Sequence, residues 1–335
     1  MEEEIESVDS MDMNSCRVLS VQSHVVSGYV GNRAAIFPLQ LLGFDADFIN
    51  SVQFSNHTKY ATIKGKVLDG LELLALTEGL EANNLIDYNY LLTGYIGSDS
   101  FLTNVLHLLD RIKIHNPNAK YVCDPVLGDN GKYYVPSGLV EIYKTSVIPR
   151  AYMITPNQFE AELLTGVVIS NEANALDAMV HMLKMGPEIV VLTSAEFLES
   201  NGKLYCYCSR KTSDGSEVEV VRVVVNKKEG HYTGTGDCTA ALMLAWIHLT
   251  VENLSLSLRN TVSTVQGMLE VTRKRQASRN ILNEDVSDST EAARARMHNL
   301  KHGELAVIMG KRYIENPPIA MLVEDVKRWT VPLNA

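Results

Sequence analysis

The stretch HYTGTGDCTAALMLAW, residues 231 to 246, places one carboxylate, Asp237, just behind two glycines and ahead of a nearly unbroken apolar run. A helix that is apolar all round belongs in an interior. Its amino end attracts anions through bare N–H groups and the helix dipole. Two readings of these residues stand side by side. In one, a glycine-rich turn enters a buried helix and Asp237 caps it. In the other, the N–H groups from Gly234, Thr235, Gly236 and Asp237 form an anion hole for a transferring phosphoryl group, with Asp237 as the base. GTGD is not a Walker loop, which ends in GK[ST], nor does it have the glycine spacing of a dinucleotide site. A helix amino end lowers a carboxylate's pKa, whereas a general base works best nearer neutrality. Phosphoryl transfer softens that conflict, because its loose transition state asks mainly for positioning and charge neutralisation.

The elements that must hold these residues follow from periodicity. CRVLSVQS (16–23), DADFINSVQ (45–53), YNYLLTG, KYVCDPV (120–126), AYMITPN (151–157) and EIVVLTS (188–194) are short apolar runs that read as strands. Helical spacing fills the gaps between them, from RAAIFPLQLLG to NEANALDAMVHMLKMG, and continues in GDCTAALMLAWIHL and SLSLRNTVSTVQGMLEVTRKR. Such alternation predicts a three-layer α/β/α fold with a mostly parallel central sheet. KLYCYCSRK and EVEVVRVVVN (217–226) read as a hairpin on an antiparallel edge. ELAVIMGKRYIENPP reads as a terminal strand and turn. Residues 1–15 read as an acidic, flexible tail and 275–298 as a polar, flexible segment of a single domain, 16–335.

In an open parallel sheet, ligands collect beyond the carboxyl ends of the strands. Polar residues cluster there: Ser23 and His24, Asn56 to Thr58, Thr93 to Tyr95, Asp124, Thr155 to Asn157, and Thr193 with Ser194. Each is also an ordinary turn former or helix cap. The net charge of −10 and the lack of a basic run argue against nucleic-acid binding. No apolar stretch is long enough to span a bilayer, and MEEEIESVDSMDMNS lacks the marks of a signal peptide, so a cytoplasmic location is expected. The five cysteines (16, 123, 206, 208 and 238) lack paired zinc spacing and read as packing or surface thiols.

The chain resembles the ribokinase-like superfamily and, more narrowly, its vitamin B6 kinases. The resemblance rests on QSHVVSGYVGNRAAIFPLQLLGF (22–44), NSVQFSNHT (50–58), LLTGYIGS (91–98), YVCDPVLGD (121–129), ITPNQFEAELLTG (154–166), VVLTS (190–194) and TGTGD (233–237), in the family's order. It implies ATP-dependent phosphorylation of the 5′-hydroxymethyl group of pyridoxal, and also of pyridoxine and pyridoxamine. Asp237 would then accept the hydroxyl proton, and the N–H groups at Gly234, Thr235 and Gly236 would hold the developing charge. Ser23 and Thr58 would bind the polar edge of the pyridine ring and Tyr95 its face, with His57, Val30, Val52 and Phe54 as further pocket residues. Asn157, Thr193, Ser194 and the flap residue Tyr134 would touch ATP. Asp124, Asp129, Thr155, Glu160 and Thr193 would form the cation region, for magnesium or another divalent ion and for potassium or sodium. A homodimer is also implied. The polar run NKKEGHY (226–232) departs from the family's more apolar approach to the adenine site, and the flap DNGKYYVPSG (129–138) is short.

Overall fold

The computed structural model describes residues 16–280, 301 and 303–333. Its first half runs β1 (Arg17–Val25), α1 (Asn32–Leu41), β2 (Asp45–Phe54), β3 (Gly65–Val67), α2 (Gly70–Ala82), β4 (Tyr90–Thr93), α3 (Asp99–His115) and β5 (Lys120–Cys123). A small hairpin, β6 (Gly128–Asp129) and β7 (Lys132–Tyr133), precedes α4 (Leu139–Ile142), β8 (Met153–Ile154), α5 (Gln158–Thr165) and α6 (Glu172–Met185). Then follow β9 (Ile189–Ala195), β10 (Lys203–Lys211), β11 (Glu217–Asn226), α7 (Thr235–Leu249), α8 (Leu254–Asn280), α9 (Lys311–Glu315) and β12 (Glu324–Pro332).

Ten strands form one sheet in the order β12-β11-β10-β9-β8-β5-β4-β1-β2-β3. The six from β2 to β9 are parallel, as expected. Period-two alternation divides each strand between the two faces. Leu19 and Val21 of β1, Val190 and Leu192 of β9, and Tyr207 of β10 meet residues of α2, α3 and α6. Val18, Ile189, Val191, Cys206 and Cys208 point the other way, towards α1, α7 and α8. The result is the three-layer arrangement, with Cys206 and Cys208 as free packing thiols.

The apolar character of α7 has a direct cause. Ala240, Ala241, Met243, Leu244 and Ile247 face the sheet, while Cys238 and Leu242 face Met268 of α8 and the returning residues Leu305, Val307 and Ile314. With apolar neighbours on both sides the middle of the helix, from Ala240 to Ala245, has no solvent face, and each buried Leu or Ile stabilises by roughly 1.5–3 kcal/mol.

Three expectations need correction. The antiparallel edge is larger than one hairpin, because β12 pairs with β11 and the short β3 adds a second edge beside β2. ELAVIMGKRYIENPP does not form a terminal strand: apart from one bridge at Glu304 it makes a turn and the helix α9. The edge strand comes later, at β12. Residues 275–280 continue α8 as helix, so that part of the segment is not an irregular linker. Residues 281–298 and the tail 1–15 lie outside the described residues.

Candidate active site

Gly234, at the cap position of α7, has φ of 89°, and a Cβ there would fall 1.9 Å from the Tyr29 carbonyl oxygen. Only glycine fits that approach. The cap therefore carries no side chain, and Asp237 sits in the first helical turn. The simple capping reading of Asp237 fails on this point. Thr235, Gly236 and Asp237 fall in the turn whose N–H groups lack intrahelical acceptors. Burial pushes the Asp237 carboxyl pKa up, the N–H groups of Gly31 and of Asp237 itself pull it down, and the net shift is upward. Desolvation thus outweighs the helix end and moves the carboxylate towards a base.

Ladder hydrogen bonds carry the sheet's order into the polar strand ends. The Asp124 N–H donates to Thr93 O at 2.9 Å, Thr155 N–H to Cys123 O at 3.1 Å, and Thr193 N–H to Pro156 O at 3.0 Å. Asp124 and Thr155 are almost fully buried. Gly236 lies close to Asp124, whose Oδ2 would be 3.7 Å from a Cβ placed there. Burial, then the Glu160 and Asp237 charges, hold Asp124 well above the usual carboxylate range, while the Thr155 hydroxyl opposes them. Yet Thr155 Oγ1 is buried without a well-formed hydrogen bond among the described residues. Facing carboxylates and an orphan hydroxyl oxygen are a donor set that suits a hard cation. Among the described residues no group of three or more His, Cys, Asp or Glu side chains could hold a metal ion by itself.

Glu160 and Asn157 have structural work here. The Glu160 carboxylate accepts the N–H groups of Asn157 (2.9 Å), Leu127 (3.0 Å) and Gly128 (3.4 Å). Asn157 caps α5 through Oδ1 to the Glu160 N–H and donates from Nδ2 to Gly128 O at 2.8 Å. This box fixes the base of the β6–β7 hairpin. Asp129 and Tyr134 are exposed on that hairpin or just beyond it. Thr193 and Ser194 are half-buried at the end of β9, the former donating from Oγ1 to Pro156 O at 3.3 Å.

On the other side of α7, a bulge between Gln22 and Ser23 brings Ser23 into register with Val52. Gly31, whose N–H faces Asp237, packs on the Ser23 carbonyl, so Asp237 and Ser23 share a neighbour. Ser51 Oγ donates to Tyr95 O at 2.6 Å and ties β2 to the half-buried Tyr95. His57 is buried and Thr58 exposed on the turn after β2. The structure thus gathers Ser23, Val52, Tyr95 and Asp237 at one end of neighbouring strands. Asp124, Thr155 and Thr193 stand at the following strand ends, with Glu160 beyond them, and Gly236 of the glycine loop lies close to Asp124.

Two residues were missed. Asn32, at the start of α1, donates from Nδ2 to Ile49 O (3.0 Å) and Asn50 Oδ1 (2.9 Å) and accepts from Ser20 Oγ, which braces the bulge. A short polar residue opening a helix whose middle is apolar was the available signal. Glu304 enters from the far end of the chain, and nothing in its local sequence marks it. In NKKEGHY, Lys227 pairs with Glu196 and Lys228 with Glu270, so both cations are engaged.

A mostly parallel sheet with a glycine loop and carboxylates at its strand ends defines a small-molecule kinase of the ribokinase-like class. A family model described as phosphomethylpyrimidine kinase matches residues 77–283. The pyridoxal kinase of Arabidopsis thaliana is 50% identical over 256 residues, covering 76% of this chain and 82% of its own. That of Homo sapiens is 45% identical over 315 residues, covering 91% and 97%. The solved pyridoxal kinase of Leishmania donovani in complex with ADP and pyridoxamine superposes with a TM-score of 0.81 at 33% identity, over 95% of this chain and 100% of that one. The chain belongs to the pyridoxal kinase family.

Proposed function

We propose that the chain transfers the γ-phosphate of ATP to the 5′-hydroxymethyl group of pyridoxal, pyridoxine or pyridoxamine, with Asp237 as general base. The observation that supports this reading is the contact chain Asp237–Gly31–Ser23, which links the carboxylate of the glycine loop to the residue expected against the vitamin. Ser23 and Thr58 hold the ring's polar edge, Tyr95 covers its face, and Val52 and His57 line the pocket. The hydroxyl meets Asp237, which takes its proton as the bond to phosphorus forms. Charge growing on the transferred group faces the N–H groups of Gly234, Thr235 and Gly236, which need no reorganisation to accept it.

Asp124 and Thr155, with Thr193 beside them, would hold a monovalent ion, potassium or sodium. Asp124, Asp129 and Glu160 would serve magnesium or another divalent ion, Glu160 through water because backbone N–H groups occupy its oxygens. Bound cations would neutralise triphosphate charge there. Asn157, Ser194 and Thr193 contact the nucleotide, and Tyr134 covers it from the flap. A cytoplasmic homodimer completes the reading.

A rival substrate, a hydroxymethylpyrimidine, draws support from the description of the matching family model. That match begins at residue 77, beyond Ser23, Val52 and Thr58. Of the residues proposed against the ring, Tyr95 falls inside the match, whereas Ser23, Val52, His57 and Thr58, which would tell the two rings apart, lie outside it. Side-by-side turnover of pyridoxal and hydroxymethylpyrimidine, with ATP, magnesium and potassium, decides between them. Ser23→Ala and Thr58→Ala are each expected to raise the pyridoxal KM about tenfold, the value of one lost hydrogen bond in a pocket, with little effect on ATP. Equal effects on both substrates would remove these residues from the vitamin pocket.

A further inference from the structure

We propose that Glu304 is a positioning residue of the vitamin pocket, holding the His57–Thr58 turn against the segment that enters the glycine loop. The inference rests on the pyridoxal reading above. Thr233, next to Gly234, donates its N–H to Gly303 O at 3.1 Å and accepts the Leu305 N–H at 3.1 Å. The Ala306 N–H donates to Thr272 Oγ1 at 3.0 Å, and Leu305 and Val307 are buried against Cys238 and Leu242 of α7. The backbone around Glu304 is thereby fixed to the phosphate side of the site.

The Glu304 side chain crosses to the other side. It lies over Gly28, where a Cβ would come within 2.4 Å of Oε1, and Oε1 is 3.4 Å from His57 Nε2. The two side chains are 9% and 5% exposed, so water does not compete for this contact. His57 Nδ1 accepts the Lys59 N–H at 3.3 Å. A neutral ring that accepts at Nδ1 must carry its proton on Nε2, and that N–H faces Glu304. Nε2 has no well-formed hydrogen bond among the described residues, and the 3.4 Å approach of Glu304 Oε1 is the contact it does make. A small rotation of either side chain would complete this bond, and removing Glu304 would take away the one acceptor within reach of a buried donor.

The charges around the pair agree with a neutral imidazole. Burial, then Lys59, pushes His57 down to about 4. Burial pushes Glu304 up to about 7, against the pull of Arg275, Arg33, Lys301 and the Tyr29 N–H. Tyr60, whose ring packs 4.6 Å from that of His57, completes the enclosure. Either protonation state of Glu304 keeps an oxygen able to accept, and so does a neutral amide. Thr58 follows His57 directly, so the contact bears on where its hydroxyl stands, whereas α7 is tied to this segment through the backbone bonds of Thr233 and Leu305, which loss of the Glu304 carboxyl leaves in place apart from its bond to the Tyr29 N–H.

The test is steady-state kinetics on the full chain with pyridoxal and magnesium ATP. Glu304→Ala is expected to raise the pyridoxal KM about tenfold while kcat and the ATP KM stay within about twofold. Glu304→Gln is expected to keep the parent pyridoxal KM, a rescue that a mere packing role would share only in part. His57→Gln should raise the pyridoxal KM as Glu304→Ala does, and the double variant should add nothing further. An unmoved pyridoxal KM in Glu304→Ala overturns the proposal, as do equal rises in both KM values or fully additive effects. If Glu304→Ala does not fold, Glu304→Gln decides: the parent KM supports the proposal, and a tenfold rise overturns it. Failure of the unsubstituted chain to phosphorylate pyridoxal sinks the functional reading first. Turnover with an unmoved Glu304→Ala sinks only this inference.

Discussion

Asp237 sits under two opposing influences, a helix amino end that favours its charge and a desolvated site that disfavours it. The second wins, because burial raises its pKa by more than the Gly31 and Asp237 N–H groups lower it. A carboxylate so placed can take a proton late in phosphoryl transfer without being locked as an anion. Asp237→Asn keeps the shape and removes the proton acceptor. It should lose about 10²- to 10⁴-fold in kcat, the usual worth of a general base, while nucleotide affinity measured by calorimetry is retained. The sign of the pH effect follows from the raised pKa. Acidification protonates Asp237 earlier than an ordinary Asp at 3.8, so kcat falls on the acid side and the variant's residual rate lacks that limb. Near-normal kcat in the variant would dismiss Asp237 as the base.

At the level of elements, what could be read from the sequence depended on how local the cause was. β1, β2, α1, α3 and α7 were legible because their apolar spacing or turn glycines lie within the element. The carboxyl-end residues Asp124, Thr155 and Thr193 were legible once a parallel sheet was inferred. β12 and β3 escaped because an edge strand owes its pairing to a distant partner. The helical course of 275–280 escaped because polar, charged residues conceal a helix that continues from a packed one. The sequence offered Asn157 and Glu160 only for ligand contacts, and their use in pinning the hairpin base was not legible. The loop-to-α7 junction gives a direct test at this scale. Gly234→Ala forces a Cβ against the Tyr29 carbonyl and a left-handed φ on an L-residue. The loop must shift, so kcat should drop about 10²- to 10³-fold, as when an anion-hole donor is lost, with stability reduced by roughly 1–2 kcal/mol. A variant with parent kcat would show that the loop's N–H groups do not hold the transferred phosphate.

For the whole molecule, the net charge of −10 opposes the ligand its site is built to receive. Asp124, Glu160 and Asp237 repeat that opposition locally, since they act on one another through their charges. A triphosphate anion must therefore approach against a repulsive field, relieved only at close range by oriented N–H groups and the cations it brings. The vitamin carries little net charge and feels that field weakly. Salt screens repulsion between separated charges, with a Debye length of about 30 Å at 0.01 M and about 8 Å at 0.15 M. Raising ionic strength across that range should lower the ATP KM severalfold and leave the pyridoxal KM almost unchanged. The salt should be a tetraalkylammonium chloride at fixed potassium and magnesium, so that binding of either ion at the proposed cation region does not vary with screening. An ATP KM that rises with salt would mean that local attraction at the loop dominates the approach, and that the acidic surface plays no part in nucleotide capture.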